Sequence, residues 1–317
     1  MKVGILGLGH IGRKHIAAIQ SLEGVSLVAT CDTDSIAVDD IPHFTSLEDL
    51  LASEISMDLI SVCTPNAYHA QHSIQVLNAG KHVICEKPMT LDKKSSEALI
   101  DAALHNGRHV FCVMQNRYSP ISQWLYDLMS SEVLGEIYVV NVHCNWNRDD
   151  RYYKKGHWHG SSSIDGGTLF TQFAHYIDTL YWLLGDIKVT NALFDNFNHQ
   201  GLIDFEDAGI FNFSFGDRGK GIFQYTTAIW DKNFESTLSI IAENGTIKVG
   251  GQYMDQVQYC HIKNYNAPSL PASNNLNNLS KIYQNAFKCV YSNDRLMTNA
   301  MDGMKVVEII ENVYSFK

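Results

Sequence analysis

The 317-residue sequence has no CxxC pair among its seven cysteines, which stand at 31, 63, 85, 112, 144, 260 and 289. That excludes zinc-finger and dithiol-redox spacings, and several of these cysteines lie inside apolar runs, where they read as buried free thiols. No apolar run approaches the about 20 residues that a membrane span requires. The first such run, residues 3–8, is a strand long and broken by Gly7 and Gly9, so no signal peptide is expected and a reducing cytoplasm is. Basic charge is also scarce: 24 Lys and Arg against 34 Asp and Glu give a net charge of −10 and a pI near 5.7. This balance disfavours a broad contact with nucleic acid or an anionic membrane, while leaving room for a local basic pocket. Low-complexity segments are missing as well, and 45% hydrophobic with 18% charged residues describes a globular protein long enough for two domains.

What is present begins with an apolar strand at residues 2–6 and, directly after it, Gly7-Leu8-Gly9-His10-Ile11-Gly12, which opens an amphipathic helix. In that context GxGxxG has a mechanism. Gly7 allows a tight turn, Gly9 leaves room for a pyrophosphate, and Gly12 lets helix and strand approach. The free N–H groups at the helix start complete an anion site, with His10 and Ile11 in its first turn. A second strand ends at Asp32, 20 residues beyond Gly12, where a carboxylate can accept both hydroxyls of an adenosine ribose. Asp32 repels a 2′-phosphate and residues 33–35 supply no cation, so NAD is expected rather than NADP.

Strands at 58–63, 82–85 and 109–114 then alternate with helices at 47–51, 67–78 and 91–106, which predicts a parallel sheet wound on both faces. Ligands bind such sheets at the carboxyl ends of the strands. Reading off those ends gives Cys63, Thr64, Pro65 and Asn66, then Glu86 and Lys87, then Gln115, Asn116 and Arg117. His69 reads equally as a helix-surface histidine or a cofactor contact. Glu86 and Lys87 read as a simple ion pair or, at this edge of the sheet, as functional groups.

Beyond residue 118 the character changes. A helix over 121–131 leads into an alternating strand at 137–146. A basic, ring-rich loop follows, with Arg148, Arg151, Tyr152, Tyr153, Lys154, Lys155, His157, Trp158 and His159. Cations and aromatic faces together suit an anionic, hydroxyl-rich ligand, and Tyr153 and Trp158 are candidate contacts; a solvated loop or subunit contact fits the composition as well. A strong helix is predicted over 168–184, on which Thr171, His175 and Asp178 share a face at i, i+4 and i+7, with Gln172 beside them. Further strands at 188–197, 207–215, 219–229, 234–241 and 246–249 predict an antiparallel sheet whose exposed face offers a dimer or tetramer surface. Residues 267–280, rich in Asn, Ser and Pro, read as a loop, and the last helix, 299–314, is expected to pack back on the body of the protein, including the first domain.

GLGHIG at 7–12, TPNAYH at 64–69 and above all CEKPM at 85–89 resemble the glucose-fructose oxidoreductase / inositol dehydrogenase (Gfo/Idh/MocA) family over nearly the whole chain. The resemblance implies an α/β protein: an N-terminal Rossmann NAD-binding domain, residues 1–118, and a C-terminal α/β domain, residues 119–317, with an open, mainly antiparallel sheet that binds substrate and oligomerises. It implies that Lys87 contacts nicotinamide and substrate, that the bond to Pro88 is cis, and that His175 is the acid/base, with the two facing one cavity; either could be the base. In the matching motif an aspartate is frequent four residues before the histidine, and Thr171 stands there instead. A TQ pair before the histidine, with Tyr152, Tyr153, Trp158 and Gly166-Gly167 upstream, is similar to members that oxidise the 3-hydroxyl of nucleotide-linked N-acetylaminosugar uronates. The same pattern occurs in members with other substrates, so inositols, polyols and small carbonyl compounds stay open, as does a non-catalytic dinucleotide-sensing regulator. No metal is expected.

Overall fold

The computed structural model describes residues 1–35, 38, 40–154, 157–271 and 275–317. Two compact units emerge: Met1–Gln115 with Asn274–Val307, and Asn116–Ser273 with Glu308–Lys317.

In the first unit, strands and helices alternate as β1 (Lys2–Leu6), α1 (His10–Gln20), β2 (Ser26–Cys31), β3 (His43–Phe44), α2 (Leu47–Ala52), β4 (Leu59–Val62), α3 (His69–Asn78), β5 (His82–Cys85), α4 (Lys93–Asn106) and β6 (Val110–Cys112). All five strand pairs are parallel, in the order β3-β2-β1-β4-β5-β6. The chain order therefore reverses between β1 and β4, and the crevice at their carboxyl ends is where a doubly wound sheet takes a dinucleotide. β4 and β5 are mostly apolar because helices cover both faces of the sheet; Leu59, Ile60, Val83 and Ile84 are inaccessible to solvent. Local signals bound the helices: Ser46 and Asp92 accept the amides of Asp49 and Ser95 at the starts of α2 and α4, and Gly107 closes α4 in the left-handed region. The two-residue edge strand β3 is an addition to the sequence reading, too short to leave a periodicity.

The second unit starts with α5 (Pro120–Ser130), β7 (Ile137–Asn145) and α6 (Ala174–Leu184), followed by β8 (Ile187–Asp195), β9 (Ala208–Phe215), β10 (Gly219–Thr226), β11 (Glu235–Ala242), β12 (Gly245–Gly250) and β13 (Gln256–Ile262). Its open sheet runs β13-β12-β11-β7-β10-β9-β8. Five of its six pairings are antiparallel; β7 and β10 pair in parallel, which the long connection between them allows. Alternation puts Phe211, Phe213, Phe223 and Tyr225 into the core, with Ile210, Asn212 and Gln224 on the other face.

Two helices end the chain, α7 (Asn275–Ser292) and α8 (Ala300–Tyr314). The loop expected over 267–280 is thus corrected from residue 275 onward, where α7 begins and packs on α1; its inward residues Leu279, Ile282, Tyr283 and Ala286 are all buried. The rest of that expected loop includes residues 272–274, which lie outside the described residues. α8 belongs to the first unit as far as Val307 and to the second from Glu308. Among the described residues no helix is long and apolar enough to cross a membrane, and no three His, Cys, Asp or Glu side chains are grouped to hold a metal ion.

Candidate active site

The glycine loop has the shape its spacing predicts. Gly7 has φ +96, which a side chain would strain, and a Cβ at Gly12 would stand 2.0 Å from the Gly7 carbonyl oxygen. A Cβ at Gly9, by contrast, meets nothing within 4 Å. Gly9 caps α1 without a side-chain hydrogen bond, so the first amides of the helix, around the exposed His10 and half-buried Ile11, stand open to an anion. At the end of β2 the Asp32 carboxylate accepts the Leu8 amide at 2.5 Å and the Asp34 amide at 3.0 Å, which holds it beside the loop. At the end of β6 the buried Gln115 Oε1 has no hydrogen-bond partner within the protein. Open space above Gly9, a fixed carboxylate and an orphaned carboxamide oxygen fit NAD, whose pyrophosphate, ribose and polar ring substituent need these three things.

At the end of β4, Cys63 is buried, and burial pushes its thiol well above its ordinary pKa, with the Glu86 charge adding to the effect. It is therefore a neutral wall of the loop. Thr64 Oγ1 lies 3.1 Å from His72 Nδ1, Pro65 precedes a single 3-10 turn, and Asn66 is buried in that turn. His69 is not on the helix surface. It is 1% exposed, and its ring nitrogens lie 2.7 Å from the Pro88 and Thr64 carbonyl oxygens, clamping one strand-end loop to the next. Burial lowers its pKa against the pull of those carbonyls.

Glu86 follows β5 and is likewise buried. Its Oε2 accepts the Lys87 amide at 3.0 Å and its Oε1 lies 3.0 Å from His15 Nε2 on α1. Lys87 is half-buried and its bond to Pro88 is cis. His15 was absent from the sequence reading, since a single histidine inside a helix leaves no signal.

In the second unit the predicted helix of 168–184 begins as a wide π turn, Leu169–Phe173, before α6 proper. That turn is wider than the α-helix expected there, and Thr171 and Asp178 have separate partners, Asp165 for the first and Arg117 for the second. Asp178 is buried and its carboxylate takes the Arg117 guanidinium, with Nη2 to Oδ1 at 2.6 Å and Nε to Oδ2 at 3.0 Å. Arg117, expected as a substrate contact, is 3% exposed and stacks within 5.5 Å of the Trp182 ring centre, so its place is that of an internal brace. Neighbouring Asn116 is half-buried and accepts the Ser119 amide on its carbonyl.

Thr171 donates its hydroxyl to the Asp165 carboxylate, which also accepts the Gly160 amide at 2.8 Å. A carboxylate thus reaches the position where the resembling motif carries its aspartate, but from six residues upstream instead of from position 171. Gln172 joins two partners: its Oε1 accepts Arg148 Nε at 2.7 Å and its Nε2 donates to Tyr152 Oη at 2.9 Å. The Arg148 guanidinium lies 4.9 Å from the Trp146 ring centre and 5.1 Å from that of Tyr152, and Tyr152 stacks on His159 with centroids 4.4 Å apart. His175 sits half-buried one turn on, at the start of α6. Of the loop residues expected to touch ligand, Trp158 is half-buried against His159, whereas Tyr153 is corrected to the core: it is 1% exposed and packs with Ile203 and Phe205. Its neighbour Tyr152 has the polar position, because adjacent residues of a tight turn point to opposite sides. Lys155 lies outside the described residues.

A six-stranded doubly wound sheet with this glycine loop, in one chain with a unit that carries a polar helix start on an open sheet, defines a dinucleotide-binding oxidoreductase. Residues 1–113 match the oxidoreductase family with an NAD-binding Rossmann fold, and residues 122–248 match the GFO/IDH/MocA C-terminal domain. The chain belongs to the Gfo/Idh/MocA oxidoreductase family, and its first unit is NAD-binding. It is similar to the D-glucoside 3-dehydrogenase of Escherichia coli strain K12, 28% identical over 214 residues, which cover 61% of this chain and 57% of that relative. The chain therefore spans little more than half the length of that curated relative. Among solved structures it is similar to the WlbA dehydrogenase from Bordetella pertussis in complex with NADH and UDP-GlcNAcA, with a TM-score of 0.91, 27% identity and coverage of 99% of this chain and 95% of that one. The WlbA dehydrogenase from Chromobacterium violaceum, in complex with the same two ligands, gives 0.89, 28%, 100% and 93%.

Proposed function

We propose that the chain is an NAD-dependent dehydrogenase acting on a secondary hydroxyl, the 3-hydroxyl of a nucleotide-linked N-acetylaminosugar uronate. In this reading the first unit holds the dinucleotide and the second the sugar nucleotide. The observation that carries the reading is the Arg148, Gln172 and Tyr152 cluster beside His175: a guanidinium between two aromatic rings is chemistry for an anionic, ring-bearing ligand. Likeness over nearly the full chain to two dehydrogenases solved with UDP-GlcNAcA supports it.

NAD supplies the hydride acceptor when bound. Gly9 and the start of α1 hold its phosphates, Asp32 its ribose, and Gln115 completes the polar surroundings. Oxidation of the alcohol leaves its O–H proton for the protein to take. His175 takes that proton, and Lys87 holds the hydroxyl oxygen and stabilises negative charge as it develops. Thr171 and Asp165 fix the start of the helix that carries His175.

The test is NADH formation on UDP-GlcNAcA, beside glucosides and inositols, with NADH binding followed by calorimetry. Turnover of the sugar nucleotide is expected, and Lys87→Met is expected to lower kcat by about 10³-fold with NADH affinity nearly unchanged. Binding of NADH without turnover of any substrate would favour a dinucleotide sensor, and turnover of inositols or free glucosides alone would favour a polyol dehydrogenase.

A further inference from the structure

Beneath Lys87 runs a buried chain of side chains that the chemistry above does not use. His15 is wholly inaccessible on α1, one turn into the helix that receives the cofactor phosphates. Its Nε2 lies 3.0 Å from Glu86 Oε1 and its Nδ1 lies 2.6 Å from the hydroxyl of Tyr283 on α7. That hydroxyl lies 2.7 Å from Ser61 Oγ on β4, and Tyr283 is itself fully buried. Burial raises the tyrosine well above its ordinary pKa, with Ser61 pulling the other way and the Glu86 charge adding to the rise, so it stays protonated. One set of directions satisfies every group: Ser61 donates to Tyr283, Tyr283 donates to His15 Nδ1, His15 donates from Nε2 to Glu86, and the second Glu86 oxygen accepts the Lys87 amide.

We infer that His15 and Tyr283 are positioning residues that set the backbone at Lys87 through Glu86, tying the helix of the cofactor loop to the end of β5. The inference rests on reading Lys87 as the group that holds the substrate hydroxyl. A fixed donor on Oε1 restrains the turning of the carboxylate, and its other oxygen then holds the Lys87 main-chain amide. Tyr283 selects the histidine tautomer that makes this donor available. An apolar residue at 15 would fill the space yet withdraw the donor from Glu86 Oε1.

Amide hydrogen exchange resolved to single residues over 83–90 tests this without a substrate. In His15→Leu, and in Tyr283→Phe, which keeps the buried ring, the Lys87 amide is expected to exchange about tenfold faster, while the Ile84 and Cys85 amides change by less than about twofold. His15→Gln, which keeps a donor for Glu86, is expected to restore the parent rate at Lys87 to within about threefold. With UDP-GlcNAcA as substrate, kcat is expected to fall in the same order as the exchange rises, at unchanged NADH affinity. Unchanged exchange at Lys87 in both His15→Leu and Tyr283→Phe, or equal acceleration throughout β5, would overturn the inference. Failure of the parent to turn over UDP-GlcNAcA would overturn the proposed substrate and leave the exchange result to decide this inference.

Discussion

His82 stands at the entry to β5 with its Nδ1 accepting the His109 amide at 3.0 Å and its ring stacked on that of His109, centroids 5.2 Å apart. An accepting Nδ1 and a second imidazole alongside both favour the neutral ring. Burial, then the charges of His109 and Arg108, lower its pKa to about 4. The unfolded chain takes up this proton near pH 6.5 while the folded chain resists it, so stability falls as pH drops from about 6.5 towards 4 and is flat below. The side chain is partly solvated, which reduces the effect to about 1 kcal/mol. Urea unfolding at pH 7 and pH 4.5 should show His82→Gln losing about that much less than the parent between the two. Single residues of this kind were the least legible from sequence. His15 and Tyr283 act on partners 268 positions apart, and a lone side chain carries no mark of such a partner. The places of Lys87, Gly9 and Asp32 were legible because they stand at fixed offsets from strand ends, where the backbone dictates what can follow.

Strand β1, the glycine loop and α1 form the element on which cofactor binding depends, and its two inner glycines make different demands. Alanine at Gly12 would drive a methyl into the Gly7 carbonyl, a backbone atom that cannot give way, so α1 must lift from β1. Alanine at Gly9 enters open space in the free protein but occupies the room left for a pyrophosphate. Gly12→Ala should therefore lower the thermal midpoint and NADH affinity together, whereas Gly9→Ala should keep the midpoint and lose affinity at least about tenfold by calorimetry. Elements with a strong period were read to within a few residues, including β4, β5 and the strands of the open sheet. Those missed have physical reasons: α7 hides its apolar stripe among Asn275, Asn277, Asn278 and Ser280, and β13 is a polar edge strand with Gln256, Gln258 and His261 half or fully exposed. The π turn at 169–173 escaped because a side-chain spacing of four or five looks alike in a run of apolar residues.

For the molecule as a whole, the chain end closes what the middle of the sequence begins. In the second unit Glu206 is buried, and its carboxylate accepts Tyr225 Oη at 3.0 Å, Tyr314 Oη at 2.7 Å and Lys317 Nζ at 2.5 Å. Removing residues 314–317 leaves that carboxylate with one of those three donors and takes away the acceptor of the Leu169 amide at the start of the π turn. A loss of about 3–5 kcal/mol is expected, read as a lower midpoint in thermal unfolding. The first unit has the same dependence on late sequence, since Tyr283 supplies the hydroxyl that His15 and Ser61 share. Synthesis is vectorial, so the ribosome has made every strand of the open sheet before the first unit receives Tyr283. Until then the face of α1 that α7 covers stays open and His15 and Ser61 lack their shared partner, which makes the nascent first unit a natural client for chaperones that shield incomplete domains.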